Sequence, residues 1–307
     1  MVILFLMAPF SMEAQLSFPP PGLPSRTALL KWTANTVTRF DVGANPATTC
    51  FDGSSIWVAN RGSNTVTKIE PGTGAILGTF PTGEGPYGIC FDGSNIWVAN
   101  NDSQNITKLN ARTGATLGTF NVGNASHGIC FDGSNIWAVR RDANSVVKLD
   151  VATGAVLGIF PVGNSPRGIC FDGKSIWVTN LLSGTVTNLD RNTGAVLGTY
   201  QVGVNPNGIC FDGTNLWVAN IGDNTVTKGV GSGRRTITVG SRPWTICYDG
   251  ALLWVTNSGA STVSVVSRDA VNGTAPIVKV GNSPYGVCFD GANVWVTNYG
   301  DGTVNKL

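Results

Sequence analysis

The sequence predicts an all-β protein: a seven-bladed β-propeller built from four-stranded blades. The segment Gly88-Ile89-Cys90-Phe91-Asp92-Gly93 recurs nearly letter for letter along the chain. Its cysteine stands at Cys50, Cys90, Cys130, Cys170, Cys210, Cys247 and Cys288, at spacings of 40, 40, 40, 40, 37 and 41 residues. A tryptophan follows each one, at Trp57, Trp97, Trp137, Trp177, Trp217, Trp254 and Trp295. Self-similarity at about 40 residues, with several short strands per copy, is the signature of a propeller blade.

Within one copy, Gly88–Phe91 reads as the first strand, and the Asp92-Gly93 dipeptide as its hairpin turn. Asn95–Asn100 is the second, with Ile and Val alternating against Trp and Ala. Asn105–Leu109 is the third, and Thr113-Gly114 turns it into the fourth, Ala115–Val122. β-Branched residues at alternate positions suit the packed faces of stacked, twisted sheets. A helical solenoid is excluded, because no 3.6-residue period is sustained.

The last copy reaches Leu307 directly after its third strand, while Thr36–Val42 reads as an unpartnered fourth strand ahead of the first cysteine. Pairing the N-terminal outer strand with the three C-terminal strands completes seven blades and removes two exposed sheet edges. The cysteine strand is then innermost and the strand ending in Val-Gly outermost. The shortest copy, read as the sixth blade, has Gly229–Gly233 in place of the usual longer turn.

Residues 32–307 are therefore read as the propeller, and residues 1–31 as a proline-rich leader or signal-like segment outside it. Its apolar run, Val2–Phe10, has no Lys or Arg before it, and Met12-Glu13-Ala14-Gln15 is a poor cleavage match. The run is too short to span a bilayer. Export and a cytoplasmic location both stay open. With 42% hydrophobic residues, 12% charged residues and 40 glycines, the chain fits a compact β-protein rather than a disordered one. A net charge of +2 argues against a nucleic-acid partner. A monomer is expected.

Copies such as GICFDGSNIWVANNDSQNITKLNARTGATLGTFNVG resemble the YVTN-type β-propeller repeats, which are related to NHL-like propellers. They also resemble the propeller of the streptogramin (virginiamycin B) lyases. The resemblance covers residues 34–307 and is specific for architecture, whereas propellers host unrelated activities. It implies a testable enzyme reading: magnesium-assisted elimination opening a cyclic depsipeptide, with more than one histidine and a glutamate near the channel mouth. This chain has one histidine, His127, and three glutamates, of which only Glu84 sits in a mouth-facing loop. A Glu84–His127 acid/base pair is the form that reading takes here, and the second histidine has no counterpart.

The uniform positions read as framework. The cysteines lack C-x-x-C spacing and should lie too far apart for disulfides, so they are expected to be small inter-blade packing residues. The ring Asp52, Asp92, Asp132, Asp172, Asp212, Asp249 and Asp290 is explained by turn chemistry rather than cation binding. The tryptophans read as inter-blade packing.

The position just before the inner strand varies almost completely: Ala47, Tyr87, His127, Arg167, Asn207, Trp244 and Tyr285. These side chains should ring one mouth of the central channel. The loop after the second strand opens on the same face, with Asn60, Asn100, Asn180, Asn220, Asn257 and Asn298 in most copies but Arg140 and then Arg141 in the third. A variable ring on a uniform scaffold is the pattern of a binding surface. His127, Arg140, Arg141 and Arg167 are expected to form a positive patch suited to carboxylate or phosphate. Tyr87, Trp244 and Tyr285 offer surfaces for sugar rings or peptide side chains. The sequence therefore points to a non-catalytic module that binds a peptide, protein or glycan through these residues and Asn207, with no resident cofactor or metal. Magnesium enters only under the lyase alternative.

Overall fold

A computed structural model describes residues 37–124 and 126–307. The expected leader, residues 1–31, lies outside the described residues. So does Thr36 at the start of the expected outer strand.

Seven four-stranded antiparallel sheets form the blades. Blade 2 runs from the channel outward through Pro86–Phe91, Asn95–Asn100, Asn105–Asn110 and Thr116–Asn121, within two residues of the expected bounds. Blade 7 takes its three inner strands from Pro284–Phe289, Val294–Asn298 and Thr303–Lys306 and its outer strand from Thr38–Asp41. Thr38 pairs with Lys306 and Asp41 with Thr303, closing the ring as the repeat arithmetic requires. Gly229–Gly233 falls in blade 5, where Gly231–Gly233 forms a short 3₁₀ turn.

The core is a set of inter-blade layers. One face of blade 1 offers Trp57, Ala59 and Cys50 to Ile89, Ile96, Val98 and Leu109 of blade 2. Blades 7 and 1 meet the same way, through Trp295 and Cys288 against Ile56, Val58 and Ile69. All seven cysteines are free, and burial pushes every thiol up, as their packing role implies.

The Asp-Gly turns do more than reverse the chain. In blade 2, Asp92 Oδ1 accepts the backbone N–H groups of Ser94 and Asn95, at 2.8 and 2.6 Å. Its Oδ2 accepts Trp97 Nε1–H at 2.7 Å, so one carboxylate ties the turn to the buried indole. The same Asp–Trp bond occurs in all seven blades. Gly93 completes the turn at φ +97°, a conformation that costs glycine nothing.

A second latch was not read from the sequence. Lys108 lies 4.8 Å above the Trp97 ring and donates to the Val151 carbonyl of the next blade at 2.7 Å. Lys68, Lys148, Lys228 and Lys306 repeat this arrangement on their own tryptophans and next-blade carbonyls. Asn188 and Val265 stand at this position in blades 4 and 6.

Candidate functional site

Two loops of each blade build the mouth opposite the Asp-Gly turns. The loop entering the inner strand places a left-handed residue before proline in six blades: Asn45-Pro46, Gly85-Pro86, Ser165-Pro166, Asn205-Pro206, Arg242-Pro243 and Ser283-Pro284. Proline fixes φ, and its pairing with the second-strand Asn (Pro86 with Asn100) sets the direction of the next, variable residue. The loop after the second strand is tied to this one. Arg61 N–H donates to Asn45 O at 3.0 Å, Asn101 to Gly85 O at 2.9 Å, and Tyr299 to Ser283 O at 3.0 Å. Six blades therefore bring two variable residues to the mouth on mutually bonded backbones. Blade 3 departs from the pattern: it has Ser126 for the proline and a 3₁₀ turn over Arg141–Ala143.

The residue after the variable position is glycine in five blades because the neighbouring backbone leaves no room. A Cβ on Gly128 would lie 2.5 Å from the Arg167 carbonyl oxygen. Where threonine stands instead, Thr48 donates its hydroxyl to the Tyr87 carbonyl of the next blade. Inner strands are thus locked edge to edge, and the ring of variable side chains has a rigid base.

Those side chains meet across the channel. Trp244 Nε1–H donates to the Tyr87 hydroxyl at 2.7 Å, joining blade 6 to blade 2. The Tyr87 ring packs on His127 with centroids 3.8 Å apart. Trp244, Tyr285 and Tyr299 form a continuous stack, at 4.4 Å for each pair. This aromatic bridge separates two spaces. Beneath it is a cavity of ≈ 160 Å³ lined by Ile89, Ile129, Ile169, Ile209, the inner-strand glycines and Asn207. Above it a second cavity of ≈ 160 Å³ is lined by Arg61, Asn101, Arg141, Tyr285 and Tyr299. Tyr87, His127, Arg167 and Trp244 border both.

The upper cavity is cationic. Arg61 is paired with Asp102 at 3.0 Å and donates to the Tyr299 hydroxyl at 3.3 Å. Arg141 is paired with its neighbour Asp142 at 2.7 Å. Arg167 has no carboxylate within ion-pair distance among the described residues, and its Nε is buried without a partner. Its Nη1 lies 2.9 Å from His127 Nε2. A guanidinium can only donate, so Nε2 accepts and the imidazole is neutral with its proton on Nδ1. Burial, then Arg167, Arg141 and Arg61, hold His127 well below the usual histidine range. Burial likewise lowers Arg167 and raises the Tyr87 and Tyr285 phenols.

Six expected residues, Tyr87, His127, Arg141, Arg167, Trp244 and Tyr285, line the mouth cavity. Asn207 lies lower, its Nδ2–H donating to the Trp244 carbonyl at 2.7 Å. Arg140 does not line the cavity. It replaces the buried framework asparagine, donating from Nε to Gly123 O at 2.9 Å and from Nη1 to Ser145 Oγ at 3.3 Å. In four of the other blades that asparagine bridges two hydroxyls of the third strand, as Asn180 does to Thr185 and Thr187, and Asn100 and Asn298 each bridge one hydroxyl and one asparagine Oδ1. Glu84 is exposed, and its carbonyl accepts N–H groups from Asp102 and Ser103. Arg61, Asn101 and Tyr299 were not singled out from the sequence. Their column, Arg61, Asn101, Arg141, Leu181, Ile221, Ser258 and Tyr299, varies as fully as the first and stands one residue after the framework asparagine.

Fold and site together define a seven-bladed β-propeller with a cationic, aromatic-bridged pocket at one mouth. No family model and no curated protein matches the sequence. Its structural neighbours are streptogramin B lyase-like seven-bladed propellers. One is virginiamycin B lyase from Staphylococcus aureus, with TM-score 0.77 and 18% identity over 88% of this chain and 98% of that one. Another is a streptogramin B lyase, with TM-score 0.76 and 19% identity over 88% of this chain and 96% of that one. Kuenenia stuttgartiensis hydrazine synthase matches equally widely, with TM-score 0.74 and 17% identity over 89% of this chain and 98% of that one. At these identities the likeness is one of fold.

The residues here do not fit the magnesium-assisted chemistry that the resemblance implies. The His127 lone pair is engaged by Arg167, whose guanidinium, unlike those of Arg61 and Arg141, has no ion pair among the described residues and repels a divalent cation. Among the described residues, no three of His, Cys, Asp and Glu converge as metal donors. No helix of the described residues is long and apolar enough to cross a membrane.

Proposed function

We propose that this propeller is a non-catalytic recognition module that binds a peptide, protein or glycan at the mouth bearing Tyr87, His127, Arg141, Arg167, Trp244 and Tyr285. The observation that carries this reading is that nine residues from two variable columns converge on one preformed cavity, while the turn aspartates, the tryptophans and the cysteines of the framework stay uniform. Selection for packing explains the uniform positions and gives no reason for three guanidiniums and a five-ring aromatic cluster to meet at one opening. Preformed concave sites with a few convergent polar groups are where ligands bind.

A thermal-shift screen of the full chain against peptide and oligosaccharide panels tests this. A ligand at about a hundred times its Kd adds about 2.7 kcal/mol of stability, which is readily seen. The expected hit is lost in His127→Ala and Trp244→Ala. Hits indifferent to both changes, or magnesium-dependent turnover of a cyclic depsipeptide, overturn the reading.

A further inference from the structure

The mouth is polarised around its circumference. On blades 1 to 4 it carries Arg61, Arg141 and Arg167, and among the described residues the carboxylates ion-paired with them are Asp102 and Asp142. That leaves Arg167 without an ion pair of its own, with Asp142, already paired to Arg141, acting on it only at longer range. The adjoining rim on blades 4 and 5 is aliphatic. Leu182 is 70% exposed and Val204 55%. Leu182 is anchored by its N–H to Asn164 O at 3.2 Å, on the loop that leads into Arg167.

The aromatic cluster helps to choose among ligand classes. A sugar-binding platform offers a broad open ring face, whereas here stacking takes both faces of Tyr285 and one face each of Trp244, Tyr299, Tyr87 and His127. The guanidiniums, the phenols and the Asn101 carboxamide at the cavity are a setting for an oxyanion. The cavity of ≈ 160 Å³ takes a terminal group rather than a chain passing through. An aliphatic rim beside a cationic well matches an aliphatic side chain next to a carboxylate.

We propose that the mouth binds the C-terminal end of a peptide, its α-carboxylate seated at Arg167 between Arg61 and Arg141, and its last aliphatic side chain against Leu182 and Val204. The proposal rests on the mouth being the recognition site and names the ligand it takes. The carboxylate supplies the counter-charge that Arg167 lacks, in a partly buried setting where charge-assisted hydrogen bonds are strongest. Asp102 and Asp142 are held in ion pairs with Arg61 and Arg141, which leaves the Arg167 guanidinium as the donor for the anion.

The test is calorimetric titration of the full chain with short peptides ending in Leu or Val, as free acids and as C-terminal amides, with glucuronate and inorganic phosphate as further arms. The free acid should bind more tightly than its amide by about tenfold or more, the worth of a hydrogen-bonded charge. Arg167→Gln should erase that difference, Arg141→Gln should reduce it, and Leu182→Ser should weaken Leu- and Val-ended peptides alone. Lys174→Ala, exposed at the opposite end, should change nothing. A melting curve on each variant separates lost binding from lost fold. Equal affinity for acid and amide overturns the carboxylate seat; if that binding still falls in Trp244→Ala, recognition at the mouth survives it. Tight glucuronate or phosphate binding without peptide binding overturns the peptide and keeps the anion site. Acid-selective binding indifferent to Arg141→Gln and Arg167→Gln overturns both readings.

Discussion

The two ends of this propeller come from the same repeat and have opposite characters. At one end, seven Asp-Gly turns make the same three hydrogen bonds, and each carboxylate holds its own tryptophan. At the other end, the residues that follow an almost constant loop are Ala, Tyr, His, Arg, Asn, Trp and Tyr. The difference teaches where a repeat is free to diversify. The turn end closes the hydrophobic layers, so its side chains are dictated by burial. The mouth end is held by backbone bonds, by proline and by buried asparagine, so its variable side chains are not needed to hold the loops and are free to bond one another instead.

The sharpest way to break that contrast is to remove one framework indole. Trp137→Ala should cost about 3–5 kcal/mol in chemical denaturation, as expected for a fully buried aromatic. A cost below about 1 kcal/mol, the ordinary range for a point change, denies the turn end its structural role.

Acid should strike the same end. Burial raises the Asp52, Asp92, Asp212 and Asp290 carboxyls, but the indole and backbone hydrogen bonds outweigh it and hold all four below their ordinary value. Their stabilisation is complete above the unfolded carboxylate pKa of about 4 and is lost as pH falls through the folded values. Unfolding followed from pH 5 downward should therefore steepen below about pH 4, and Asp92→Asn should flatten the curve.

Gly128→Ala pushes a methyl group against the Arg167 carbonyl and should cost about 1–3 kcal/mol. It tests whether the base of the mouth is as rigid as the turn end.

His127 gives a smaller effect of its own. It is neutral in the fold and protonates more readily in the unfolded chain, so its contribution is complete above about pH 6.5 and declines below it. His127→Gln should remove that slope from the stability profile between pH 7 and 5, roughly the span in which histidine titrates. An unchanged slope denies the Arg167–His127 contact its place.

Smallest of all, Arg140→Asn restores the repeat's own residue and should shift stability by no more than about 0.5 kcal/mol, with peptide binding unchanged. A large loss of binding would move Arg140 from framework to site.

The architecture was legible because burial acts alike on every copy. The 40-residue period, the strand bounds of blade 2 and the closure by Thr38–Asp41 followed from pattern and turn chemistry. Most of the cavity lining was legible too, since variation against a constant background marks Tyr87, His127, Arg167, Trp244 and Tyr285, and the break in the asparagine column marks Arg141. Arg61, Asn101 and Tyr299 were not legible, because each follows an asparagine whose constancy marks framework. Arg140 breaks that column and was read as site, yet its guanidinium only replaces the asparagine's bonds.

What the sequence by itself determined is thus everything local or periodic: strand length, turn type, blade number and the order of the ring. Tertiary structure alone decided which side chains meet. Tyr87 and Trp244 are 157 residues apart, and their hydrogen bond exists because the closed ring sets blades 2 and 6 across one channel. Lys108 reaches the Val151 carbonyl across a blade boundary for the same reason. Charge compensation is likewise a property of the assembled mouth: Arg61 finds Asp102 on the neighbouring blade, and Arg167 finds only a histidine. Period and propensity act between residues close in sequence, whereas desolvation and pairing act between residues close in space, and only ring closure brings the second kind together.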